Sequence, residues 1–237
     1  MQNQGYTELK VRRYERKFLP PYICRGQVES LLMRNSFAFR KAYSPRQVNN
    51  IYFDTPGFDC YFANLFGIGY RWKVRLRWYG NLFGHISNPV LELKIKHGYS
   101  GSKKSFMLSS MSIDKDYFDG SKLMEIFENE SIPDEIRLKL ESLQPVLLNS
   151  YLRSYFVSAN GHFRATVDDQ LSYYQVRPTW NQFHFPVKEE NKTVMEIKYN
   201  MEYDDQAPEI TRQFPFRMEK NSKFVSGMSL FKGDIPL

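Results

Sequence analysis

The sequence predicts a mainly β protein, a barrel or sandwich with several helices packed outside, and three observations support this. Aromatic residues make up 16% of the chain, with 16 Tyr and 19 Phe, and wide rings suit the pleated, half-buried surface of strands. Short runs bounded by Gly, Pro, Asn or Asp recur along the chain. Within six of them, charged and apolar residues alternate with period two. At 237 residues the chain can form one large β domain. No repeat, low-complexity tract or linker divides it, so a single domain over 1–237 is expected.

Taken in order, strands are expected at 10–18, 49–54, 70–79, 90–97, 104–109, 150–157, 163–168, 171–177, 193–201 and 210–218. Helices are expected at 22–35, with Val28, Leu31 and Leu32 on one side, at 56–66 opening at Pro56, and at 121–129. A fourth covers 133–144, with Pro133 in its first turn and Ile136, Leu140 and Leu143 at helical spacing. A short terminal helix follows around Ser222–Leu230. The apolar faces of these helices require a partner surface, which the outside of a barrel supplies.

The charged faces carry the chemistry. In Arg71-Trp72-Lys73-Val74-Arg75-Leu76-Arg77-Trp78-Tyr79, period-two geometry puts four cations on one face and Trp72, Val74, Leu76 and Trp78 on the other. Successive cations on such a strand stand about 7 Å apart and repel one another unless a polyanion neutralises them. Glu92, Lys94 and Lys96 share a face, as do Glu196 and Lys198, Arg164, Thr166 and Asp168, Arg13, Glu15 and Lys17, and Tyr151, Arg153 and Tyr155. An ordinary sheet with one solvated face would show mixed charge on any one strand. Six such faces, four of them placing Arg or Lys two residues from Glu or another cation, favour an inward, cationic tunnel suited to a chain of phosphates. Arg binds phosphate oxygens bidentately and Lys adds a point charge. A triphosphate brings a hard divalent cation, Mg²⁺ or Mn²⁺, which needs one or two carboxylates. Glu196 is the leading ligand candidate, with Glu15 and Glu92 behind it.

Composition narrows the partners. Lys plus Arg number 33 against 26 Asp plus Glu, a formal charge of +7, which favours anionic ligands. Cys24 and Cys60 are too few for a disulfide framework and sit at no zinc spacing. His85, His97, His162 and His184 show no metal spacing. With no apolar run of transmembrane length and no signal-peptide core, a cytoplasmic location is expected, with any membrane attachment supplied by a partner protein. Nucleic acid is disfavoured as a ligand because Trp72 and Trp78 fall opposite the cations, separating stacking from phosphate contact.

Several segments together resemble a known family. They are Tyr14-Glu15-Arg16-Lys17-Phe18, Ile51-Tyr52-Phe53-Asp54-Thr55, Arg75-Leu76-Arg77-Trp78-Tyr79-Gly80, Leu91-Glu92-Leu93-Lys94, Tyr151-Leu152-Arg153-Ser154-Tyr155, Arg164-Ala165-Thr166-Val167-Asp168, Met195-Glu196-Ile197-Lys198 and Ser222-Lys223-Phe224. In this order they resemble the catalytic domain of the vacuolar transporter chaperone (VTC) complex, within the triphosphate tunnel metalloenzyme (CYTH-like) superfamily. The resemblance implies a closed antiparallel barrel of about eight strands around a tunnel. It implies phosphate-holding roles for Lys17, Arg75, Arg77, Lys94, either Lys103 or Lys104, Arg153, Arg164 and Lys223, a metal at Glu196, and assistance from Ser222 near the tunnel end. Lys198, two residues beyond Glu196, joins the substrate-binding set. Arg13 stands where the triphosphatase and cyclase branch often has a first glutamate, which favours the polymerase-like branch.

The resulting expectation is a metal-dependent polyphosphate polymerase. Arg75, Arg77, Arg153 and Arg164 would cradle the γ-phosphate of ATP as it passes to pyrophosphate or a growing polyphosphate chain. A triphosphatase using water as acceptor is the runner-up. A non-catalytic module for polyphosphate or inositol phosphates would use the same cations without needing Glu196.

Overall fold

The computed structural model describes residues 6–8, 13–98, 100–129 and 132–231. Along the chain lie β1 (Tyr6–Glu8), β2 (Arg13–Phe18), α1 (Arg25–Met33), β3 (Arg40–Asp54), α2 (Asp59–Leu65), β4 (Tyr70–Tyr79), β5 (Gly84–Ile86), β6 (Val90–His97), β7 (Ser100–Met107), β8 (Met111–Ile113) and β9 (Phe118–Asp119). There follow α3 (Ser121–Asn129), α4 (Asp134–Glu141), β10 (Gln144–Val157), β11 (Arg164–Gln175), β12 (Trp180–Asn181), β13 (Val187–Glu189), β14 (Val194–Asn200), α5 (Ala207–Thr211) and α6 (Lys223–Leu230). The fold is mainly β. A ten-stranded sheet runs β1-β7-β6-β4-β3-β10-β11-β14-β2, with β13 added on β11, and every pair is antiparallel.

The sheet is curled. In a flat sheet, β4 and β2 would lie five strand spacings apart, about 24 Å. Yet Asn221 and Ser222, adjacent in sequence, receive hydrogen bonds from Lys17 on β2 and Lys73 on β4 at 2.9 and 2.7 Å. The next residue, Lys223, pairs with Asp168 on β11. Curling puts the charged strand faces on the concave side.

Three apolar clusters hold this shape. On the convex face, Ile51, Phe53, Val74, Leu76, Trp78, Leu91 and Leu93 pack with Leu123 and Phe127 of α3 and Ile136 and Leu140 of α4. Farther round, Phe18, Phe156, Val167, Met195 and Ile197 pack with Val28 and Leu32 of α1 and with Ile210 of α5. The third lies within the curl, where Phe224 and Met228 of α6 meet Tyr52, Leu147, Tyr173 and Val194. Charges thus line only part of the concave side, and α6 fills the remainder.

Several sequence expectations need correction. The sheet has ten strands rather than about eight, and no hydrogen-bonded pair among the described residues closes it into a barrel. Segment 210–218 is not a strand. Helix α5 forms there with Pro208 in its first turn, and Phe214 and Phe216 follow with their rings 5.8 and 5.7 Å from Phe18, tilted and edge-on. Those ring contacts, with one isolated bridge from Met218 to Phe18, account for the alternation of apolar residues. Segments 163–168 and 171–177 form one strand, β11. Gln170 at φ 53° and a register shift opposite Ser150 absorb the irregularity that reads as a break. β3 begins nine residues before the expected 49, because Pro45 sits at an irregularity in the β10 pairing and before the β4 pairing starts at Val48. Residues 10–12 of the first expected strand lie outside the described residues.

The seating of α6 depends on Gly227, where an added Cβ would come within 2.6 Å of both Leu147 Cδ2 and Tyr173 Cδ1. Gly227→Ala is therefore expected to destabilise the protein by ~1–3 kcal/mol through overpacking, despite alanine's better helix propensity. Urea denaturation checks this, and an unchanged midpoint would mean that α6 does not dock as described.

Candidate functional site

β4 places Lys73, Arg75 and Arg77 on the concave face, where side chains of β3, β6 and β10 fix the two arginines and Ser222 fixes Lys73. Arg75 donates through Nε to Glu92 Oε2 at 2.6 Å and reaches the Tyr52 hydroxyl at 3.5 Å. Arg77 donates to Asn50 Oδ1 at 2.8 Å and to the Tyr151 hydroxyl at 3.2 Å. Glu92 also pairs with Lys103 through its other oxygen. Burial raises the Glu92 pKa, but Arg75, Arg77 and Lys103 outweigh it and hold the carboxyl well below the usual range.

Beside them, β2 and β14 bring two carboxylates and two ammonium groups into a ring. Lys17 lies 2.9 Å from Glu15 and 3.3 Å from Glu196, and Lys198 lies 3.5 Å from Glu15 and 3.0 Å from Glu196. Burial opposes ionisation of Glu196, but Lys198, Lys17, Lys223 and Arg153 hold it well below its ordinary value. Glu15 is raised by burial and by Glu196, yet Lys198, Lys17 and Lys94 leave it lowered. Across from Glu196 in the β11 register stands Thr166, whose buried Oγ1 has no hydrogen-bond partner.

The third group is the most enclosed. Asp168, fully buried, accepts from Arg153 Nε and Nη2 at 2.6 and 2.7 Å and pairs with Lys223. Arg153 and Lys223 both lie over the Tyr151 ring, 5.2 and 4.6 Å from its centroid. Burial raises the Tyr151 hydroxyl, but Arg153, Arg77 and Lys223 leave it lowered. Asn149, beside Asn50, has a buried Nδ2 without a partner.

The structure thus gathers Lys17, Arg75, Arg77, Lys94, Lys103, Arg153, Lys198, Lys223, Glu15, Glu92 and Glu196 on one curled face. Ser222 caps α6, accepting from the Val225 amide at 3.4 Å and from Lys73 at 2.7 Å. Of the lysine pair, Lys103 is the inward one: it is the register partner of Lys94, whereas Lys104 is opposite Leu93 and faces outward. Arg164 sits exposed at the rim, at the start of β11. Sequence reasoning gave no role to Lys73, Asn50, Tyr52, Tyr151 or Asp168. Strand parity puts Lys73 on the face of Arg75, Tyr151 on that of Arg153 and Asp168 on that of Arg164, without giving them an individual task. The near-continuous apolar run around Tyr52 hid it.

The residues present fit a hard divalent cation. Glu15 and Glu196 offer adjacent oxygen donors, the number Mg²⁺ or Mn²⁺ takes from protein when phosphates and water complete the shell, and the orphaned Thr166 hydroxyl adjoins them. All three carboxylates, Glu92 included, already hold cations through both oxygens, so a metal bound at any of them would share or displace these pairings. No cluster of three or more His, Cys, Asp or Glu suited to a metal occurs among the described residues. Water or phosphate oxygens would complete the coordination of an ion held by Glu15 and Glu196.

Solved structures share the fold. A proposed adenylate cyclase from Bacillus halodurans aligns at a TM-score of 0.51 and 14% identity, covering 92% of this chain and 96% of that one. A proposed adenylyl cyclase from Hippeastrum, with a dominant triphosphatase activity, aligns at 0.50 and 14%, covering 91% and 96%. A proposed adenylate cyclase from Vibrio parahaemolyticus aligns at 0.50 and 12%, covering 92% and 97%. Searching curated proteins returns no match. The chain belongs to the VTC domain family, whose model matches residues 7–232.

Two outcomes follow from the site electrostatics. Burial, then repulsion by Lys17, Lys94, Arg75 and Arg71, pushes Lys73 down to about 7. A bound polyanion reverses that repulsion, so tripolyphosphate binding near pH 7.5 is expected to take up a proton and to weaken as pH rises above about 7. Because an unfolded lysine stays protonated to about 10.4, the unfolded state binds more protons between these values and stability rises with pH there. Calorimetry in buffers of different ionisation enthalpy measures the uptake, which Lys73→Met should abolish. Separately, Asp168→Asn removes the buried carboxylate that pairs directly with Arg153 and Lys223 and is expected to cost ~3–5 kcal/mol in a denaturation measurement.

Proposed function

We propose that the protein is a metal-dependent polyphosphate polymerase that adds the γ-phosphate of ATP to a polyphosphate end. In this reading β1 and β2, four residues apart in sequence, close the sheet around a tunnel. One observation carries the choice of acceptor. The carboxylates of the concave face that are named above are each paired with cations and held at lowered pKa values, which makes them poor bases for activating water. A phosphate acceptor is already ionised and needs no base.

Arg75, Arg77 and Arg153 hold the transferring group, each oriented beforehand by a carboxylate or amide, so little reorganisation accompanies charge movement. Arg164 extends the cationic track at the rim. Lys17, Lys94, Lys103, Lys198 and Lys223 neutralise the rest of the phosphate chain, and Ser222 holds Lys73 in place. Glu196 and Glu15 would hold Mg²⁺ or Mn²⁺, which would supply positive charge to neutralise the phosphates during transfer. Glu92 acts as the anchor of Arg75 and Arg77. The acceptor oxygen forms a bond to the γ-phosphorus as the bond to the β,γ-bridging oxygen breaks. ADP leaves with that electron pair, and the chain grows by one phosphate.

Incubation with ATP and Mn²⁺, with and without pyrophosphate, tests the reading. The wild type should make long polyphosphate and Glu196→Ala should lose at least about a hundredfold in rate. Free phosphate without polymer would identify a triphosphatase instead. Tight polyphosphate binding with no turnover would identify a binding module.

A further inference from the structure

The charged face changes character at one end. Arg46 on β3 is the register partner of Arg153 on β10, and Tyr43 is that of Tyr155. Because β3 pairs with β4 only from Val48 onward, the segment before it has β10 as its neighbour and lies open. There the Tyr43 ring, 62% exposed, meets the Tyr155 ring edge-to-face at 5.9 Å. The Arg46 guanidinium lies 5.2 and 5.8 Å from the two ring centroids. Tyr79, half exposed, continues the parity of Arg75 and Arg77 on β4 and stands opposite Val48. Arg153 has Asp168 as counter-ion, whereas Arg46 has no ion pair among the described residues. Ordinary solvated strand ends do not need three tyrosines beside an unpaired arginine.

We propose that this rim, Tyr43, Arg46, Tyr79 and Tyr155, is a nucleobase site, which rests on the reading of the concave face as a phosphate channel. Four residues of extended β3, about 13 Å, separate Arg46 from Asn50, the residue that orients Arg77. That span suits a nucleotide lying along the strand, with its base at the rim, its phosphates running past Arg153, the register partner of Arg46, and the terminal ones at Arg77. Tyrosine faces and a guanidinium plane stack on any base. None of these four residues has a carboxylate or carboxamide to read base edges, so the site favours nucleotides over inorganic triphosphate without choosing among bases.

Calorimetric titration of the full chain with ATP, GTP and inorganic triphosphate, in EDTA to prevent turnover, tests this. The wild type should bind ATP and GTP alike, both more tightly than triphosphate. Tyr43→Ala should weaken both nucleotides by about five- to fiftyfold, as removing a base-stacking aromatic does, and leave triphosphate unchanged, while Tyr43→Phe retains the preference. Equal losses for nucleotide and triphosphate, or no loss for either, would overturn the base site. So would a wild type that binds triphosphate as well as ATP, and that result leaves the phosphate channel standing. A wild type that binds none of the three removes the channel and the base site together.

Discussion

The crowding of cations on a curled, partly desolvated surface is the constraint on which this structure depends. Like charges a few ångströms apart raise the energy of the folded state, and here each carboxylate relieves more than one of them. Glu92 serves Arg75 and Lys103, Asp168 serves Arg153 and Lys223, and Glu15 with Glu196 serves Lys17 and Lys198. Cations still outnumber acids, and Lys73, which has a hydroxyl rather than a carboxylate as partner, absorbs the imbalance through its lowered pKa. A polyanion completes the electrostatics that the fold leaves open.

Such a surface needs support from outside. The convex clusters beneath β4, β6, β11 and β14 bury the alternate residues of the strands that carry the charges, so each cation's position follows from the packing of its neighbours. α6 contributes from within. Its apolar face packs on Tyr52, Leu147 and Tyr173, while its first turn delivers Ser222 and Lys223 to the charged groups. Stability and site geometry therefore meet in one eight-residue helix. Trp78 illustrates the same division of labour: it is buried on the convex side, with its indole N–H bonded to Asn81 O at 3.0 Å, and is unavailable to stack on a ligand.

The strands with clean alternation were legible. β4 and β6 occur with the bounds their charge patterning predicts, because one apolar and one charged face leave a single register that buries the right residues. Irregular stretches were not. β3 and β10 contain prolines and register shifts, and β11 has a residue at positive φ, features that sequence reading takes for strand ends. The segment around Phe214 misled for a related reason, since its alternation reflects ring packing on Phe18. Lys103 and Lys104 could be separated only by register, which depends on how β7 lies against β6.

By itself the sequence determined the mainly β character, the segregation of charge to one face of each strand, and the family to which those ordered motifs belong. All three follow from period-two geometry or from the order of short segments along the chain. Only the tertiary structure decided which charges meet. The pairing of Arg153 with Lys223 across Asp168, the ring formed by β2 and β14, and the placing of Ser222 against Lys73 join residues far apart in sequence. Sheet curvature and the docking of α6 set those contacts, and both arise from long-range packing that no local pattern encodes.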